Sequence, residues 1–99
     1  MPKSTEKLDV VLSSLADGTR RGVVERLGKG PATVSELAAG FEMALPSFVQ
    51  HMGVLERSGL VQSTKTGRVR TYSIVPKRLK TVEKWMKSQR SCWKKAKIK

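Results

Sequence analysis

Between Thr33 and Thr71 the chain sets a capped helix, a glycine turn, a second helix and a basic hairpin almost end to end, an order that leaves few folds open. Thr33 followed three residues later by Glu36 is a capping box, in which hydroxyl and carboxylate each satisfy an amide donor exposed at a helix start. Leu37 and Ala38 supply a small apolar face, and Gly40 is expected to end this helix in the left-handed conformation. Pro46 suits the first turn of the next helix, where its missing amide hydrogen breaks no intrahelical bond. Phe48, Met52 and Leu55 recur at helical spacing and should face a core, with Ser47, Gln50 and Gly53 on a polar, small surface away from it. Gly59 closes the helix.

Leu60 to Thr64 and Val69 to Ile74 carry β-branched and aromatic residues, and the intervening Lys65-Thr-Gly-Arg68 holds a turn glycine. A helix pair followed at once by such a hairpin predicts a winged helix-turn-helix: mainly α with a small β-hairpin, about five helices plus a two-stranded wing. Cations on the hairpin either protect an edge strand or reach phosphates and the minor groove. Their place directly after the helix pair favours DNA.

Charge agrees. The 99 residues make one small domain, expected over residues 1–93, with a basic, disordered tail at 94–99. A net charge of +12 suggests a polyanionic partner, because affinity for DNA comes largely from neutralising phosphates and releasing counterions. RNA or an anionic membrane would share that attraction. Residues 1–60 hold 7 Lys/Arg against 7 Asp/Glu, whereas residues 61–99 hold 13 against Glu83 alone, so the basic field begins at the wing. No apolar run reaches membrane-spanning length and no leader pattern opens the chain, which predicts a soluble, cytoplasmic protein with no membrane partner. The lone Cys92 excludes an intramolecular disulfide framework.

Elsewhere, Leu8, Val11, Leu12 and Leu15 lie at helical spacing in an amphipathic helix over residues 4–15. Asp17 is an N-cap candidate for the next helix, whose buried face is Val23, Val24 and Leu27 and which Gly28 and Gly30 end. Pro76 starts the last helix, where Leu79, Val82, Trp85, Met86, Gln89 and Trp93 make a stripe of about four turns. Two tryptophans on one terminal helix exceed what a small core absorbs. The first and last helices are therefore assigned to a homodimer interface formed by Leu8, Val11, Leu12, Leu15 and the last-helix stripe. The competing view is that both helices cap a monomeric core.

Leu15-Ala-Asp-Gly-Thr-Arg-Arg21, Val34-Ser-Glu-Leu-Ala38, Pro46 to Leu55 with His51, Ser58-Gly-Leu-Val61 and Gly67-Arg-Val-Arg-Thr-Tyr72 together resemble the ArsR-type family of bacterial winged-helix repressors. The resemblance covers about residues 8–93. It implies a homodimer that represses its own operon and releases DNA on a signal. Metal-sensing members carry a cysteine motif in the helix that here reads Val34-Ser-Glu-Leu-Ala38, or a His/Asp cluster on the last helix, and this sequence has neither. Zinc-type sites want about four ligands, and His51 and Cys92 are far apart, so neither a metal nor another cofactor is expected. Gly18 stands where relatives often have proline, and Ala44 where they often have serine.

The expected DNA contacts are Thr33, Ser35, Pro46, Ser47, Val49, Gln50, His51, Lys65, Thr66, Arg68 and Arg70, with helix 44–58 in the major groove and wing 61–74 beside it. His51 is either a packing residue or a phosphate donor. Cys92, near Arg90 and Lys94, is either a small packing residue or a redox-sensitive thiol. No catalytic constellation occurs at a usable spacing. The function expected is a homodimeric, sequence-specific DNA-binding repressor. The alternative is a winged-helix module that binds a protein through its tryptophan-bearing last helix, with only non-specific DNA affinity.

Overall fold

A computed structural model describes the backbone of residues 3–95 and side chains from residue 7 onward. Helices α1 (Lys3–Leu15) and α2 (Gly18–Leu27) meet at a two-residue turn. Asp17 caps α2 as its position predicts, its carboxylate accepting from the Arg20 amide at 3.0 Å. The carbonyls at the end of α1 have no intrahelical donors, and the two arginines of the motif supply them. Arg20 Nε donates to the Ser14 carbonyl at 2.7 Å, Arg20 Nη2 to Ser13 at 3.3 Å, and Arg21 Nη1 to Leu15 at 2.8 Å.

The wing is the expected two-stranded hairpin, and strand β1 (Ala32–Thr33) adds a third strand to its sheet. It pairs antiparallel with β3 (Val69–Ile74), Ala32 opposite Tyr72 and Thr33 opposite Thr71, and β3 pairs in turn with β2 (Val61–Thr66). The sheet is three-stranded in the order β1-β3-β2. Two residues cannot display the alternation by which strands are read from sequence.

Helix α3 (Val34–Ala38) begins at the expected capping box: the Glu36 amide donates to Thr33 Oγ1 at 3.2 Å and the Thr33 amide to Glu36 Oε1 at 2.9 Å. It does not end as expected, because Gly40 is not among the glycines with positive φ. Instead the Gly40 and Phe41 amides donate to the Leu37 and Ala38 carbonyls, tightening the last turn to 3₁₀ geometry. Phe41 fixes the turn that follows. Its ring stands 5.5 Å from that of Phe48, and a Cβ on Gly22 would come within 3.0 Å of it. Glycine at 22 thus lets α2 approach the turn.

Helix α4 (Leu45–Arg57) carries Pro46 in its first turn and sinks Phe48, Met52 and Leu55 fully into the core. Gly59, at φ 81°, reverses the chain into β2, and Arg78 of α5 (Pro76–Lys95) lies over it. The core also takes Val11, Val23, Leu27, Leu37, Leu60, Val61 and Tyr72. α1 and α5 pack together, yet no residue of α5 is fully buried. The helix continues through Lys94 and Lys95; the remainder of the expected tail, 96–99, and residues 1–2 lie outside the described residues.

Candidate nucleic-acid interface

Core packing of Phe48, Met52 and Leu55 turns the other faces of α4 outward. Pro46, Ser47, Val49 and Gln50 are exposed. Beside them Leu45 is 54% and Val49 48% exposed, and Met43 is exposed too, an apolar rim at the start of the helix that the sequence reading missed except for Val49. Only its departure from the core spacing signals it. At the N-terminus of α4, Ala44 is the N-cap and makes no side-chain cap hydrogen bond, and the first turn holds no acidic residue.

His51 is drawn back from this face. Its Nδ1 lies 3.0 Å from Arg20 Nη1 and 3.7 Å from Asp17 Oδ2, which ties it to the start of α2 and leaves its packing role the better supported one. The Asp17 carboxyl is held below its ordinary value, chiefly by the Arg20 amide and also by the charge of Arg20, against an opposing desolvation. Thr33 has its amide donated to Glu36 and its oxygen accepting from Glu36, whereas Ser35 is exposed.

On the wing Lys65, Thr66, Arg68 and Arg70 are all exposed, and Lys65 stands directly across the strand pair from Arg70. Like charges so placed repel unless an anion sits between them. None of the three wing cations forms a salt bridge among the described residues. Arg70 is less free than the other two, because its Nη1 donates to Ser63 Oγ at 2.8 Å. Burial pushes the Tyr72 phenol above its ordinary value, helped by Glu56 and opposed by Arg70.

The expected dimer residues divide. Val11 is fully buried in the chain's own core and so is removed from any interface, a correction whose cause is that Ser14, not Leu12, shares its inward face. Leu15, Leu79 and Val82 are half-buried against that core, Leu8 is half-buried, and Leu12 and the unforeseen Val10 are exposed. Trp85, Met86 and Trp93 are 43%, 58% and 52% exposed and, with half-buried Gln89, line an open groove of about 760 Å³ on α5. Cys92 is exposed and does not pack inside the protomer. Among the described residues no group of three His, Cys, Asp or Glu is placed to hold a metal, and no helix is long and apolar enough to cross a membrane.

A capped helix pair, a compact turn and a basic wing define a winged helix-turn-helix protein. A helix-turn-helix domain family matches residues 15–64. The structure is similar to that of an ArsR family transcriptional regulator, with 49% identity and a TM-score of 0.88 over 91% of this chain and 93% of that one. The chain belongs to the ArsR family of DNA-binding transcriptional regulators, which are not enzymes. It is 43% identical over 68 residues to the HTH-type transcriptional regulator Rv2034 of Mycobacterium tuberculosis, covering 69% of this chain and 64% of that relative's length. It is 26% identical over 76 residues to the transcriptional repressor SdpR of Bacillus subtilis, covering 77% of this chain and 84% of the repressor.

Proposed function

We propose that the chain acts in the cytoplasm as a homodimeric repressor that binds a palindromic operator at its own gene. The observation that carries this reading is the outward face of α4, where Ser47 and Gln50 stand exposed at the start of a helix whose opposite face is locked in the core. Those two side chains read base edges in the major groove. Pro46 and the N-terminal turn of α4 lie close to the backbone there, with Ser35 and Thr33 holding a phosphate from the start of α3. Lys65, Thr66 and Arg68 hold phosphates or the minor-groove wall from the wing.

Dimerisation through α1 and α5 is supported by Trp85, Met86 and Trp93, which a lone protomer leaves in water. A two-fold dimer presents its two α4 helices to half-sites about one DNA turn apart, or a multiple of it. Repression is favoured by the likeness to a named repressor. The test is a fluorescence-anisotropy titration on DNA from immediately upstream of the gene against scrambled DNA, at two salt concentrations. Palindrome-dependent binding above the scrambled control is expected. Salt-sensitive binding without preference overturns the operator reading and leaves a module that meets a protein partner through α5.

A further inference from the structure

Arg20 belongs to α2, yet its side chain serves two other helices. Nε and Nη2 donate to the Ser14 and Ser13 carbonyls at the end of α1, while Nη1 reaches Nδ1 of His51 in α4 at 3.0 Å. A guanidinium only donates, so Nδ1 accepts and the ring proton sits on Nε2. Asp17, 3.7 Å from the same nitrogen, caps α2 through the Arg20 amide and so holds the arginine's own backbone in place. Between α1 and α4 runs a shallow groove, with Val10 and Ser14 on one wall and Val54 and Arg57 on the other. Along this groove the two helices do not meet directly, and the Arg20 side chain links them at its end.

We infer that Arg20 is a positioning residue for operator recognition: through His51 it fixes α4 to the C-terminal end of α1, and thereby to the dimer frame. This rests on the proposal that α4 reads DNA from within a dimer. The three donations diverge in one plane, which suits the rigid fork of arginine and not the single ammonium of lysine. A small tilt of α4 spoils the match of two reading helices to two half-sites. It leaves the number of neutralised phosphates, and hence non-specific binding and salt dependence, unchanged.

The test uses the full chain and the duplex that wild-type protein selects from a randomised pool, with a scrambled duplex beside it. Arg20→Lys, which keeps the charge, and His51→Leu are expected to lose about tenfold or more in affinity for the selected duplex, the scale of one charge-assisted hydrogen bond. Affinity for scrambled DNA and the salt slope stay as in wild type. His51→Asn, whose Oδ1 accepts from near the position of Nδ1, restores most of the loss. Full selected-duplex affinity in Arg20→Lys overturns the inference, as does an equal loss on both duplexes. If wild type selects no preferred duplex, the operator proposal itself fails. Imidazole nitrogen NMR shifts read the link without DNA: an Nε2–H tautomer is expected in wild type and a mixture in Arg20→Lys, and a mixture in wild type removes the link.

Discussion

Ser63 Oγ on the first wing strand donates to Glu56 Oε2 in the last turn of α4 at 3.0 Å, and the same oxygen accepts from Arg70 Nη1. The wing is thus tied to α4 by side chains as well as by the chain itself. Replacing Ser63 by Ala removes no charge and nothing from the core, so it is expected to weaken operator binding a few-fold with an unchanged salt slope. Arg68→Ala should instead lower that slope by about one unit on every sequence. Anisotropy titrations at several salt concentrations separate the two, and a silent Ser63→Ala shows that the wing needs no such tie.

Ala44 occupies the N-cap of α4 in an extended conformation, with φ −64° and ψ 142°, and offers no oxygen to the amides of the first turn. Ala44→Ser supplies one. It should stabilise the fold by about 1 kcal/mol in urea unfolding. No gain would mean that water already serves those amides as well.

The depressed Asp17 carboxyl makes stability depend on pH in a definite direction. Its folded pKa lies below the unfolded value, so its contribution is complete above the ordinary carboxylate range and is lost as pH falls through the folded pKa. Asp17→Asn retains a capping oxygen but not the charge. Thermal melts should therefore show wild type losing more of its Tm than Asp17→Asn as pH drops below about 4. Parallel curves would deny the carboxylate any role beyond capping.

Much of this molecule was legible because its signals are local. The Thr33 and Glu36 box, the Asp17 cap and the Phe48, Met52, Leu55 stripe each occupy a few consecutive residues, and each stands where the sequence places it. What escaped depends on distant partners. Arg20 and Arg21 follow Asp17 in sequence, but their carbonyls belong to the preceding helix and the imidazole to residue 51. β1 exists only because β3 returns beside it. Val11 and Leu12 are equally apolar, and only the docking of α1 decides which of them enters the core.

The tryptophans of α5 give the dimer a direct trial. Neither contributes to the core, so Trp85→Glu and Trp93→Glu should fold with unchanged circular dichroism. Each is expected to weaken self-association by about 2 kcal/mol or more, the cost of removing an aromatic anchor from an interface. Sedimentation should shift toward monomer, with a larger loss of affinity for a two-half-site duplex than for scrambled DNA. A variant that sediments as wild type places the interface elsewhere.

The apolar rim of α4 adds a chemical preference to the proposed operator. Leu45 and Val49 can make no hydrogen bond to a base edge, and the one apolar group in the major groove is the thymine methyl. Exchanging thymine for deoxyuridine in the selected duplex deletes that methyl and keeps every donor and acceptor. Each methyl that meets the rim should cost about 0.8 kcal/mol, the value of one buried methylene. Val49→Ala should bind the two duplexes nearly alike, because the partner surface is gone. If deoxyuridine changes nothing at any position in wild type, the rim does not touch the bases and specificity rests on Ser47 and Gln50 alone.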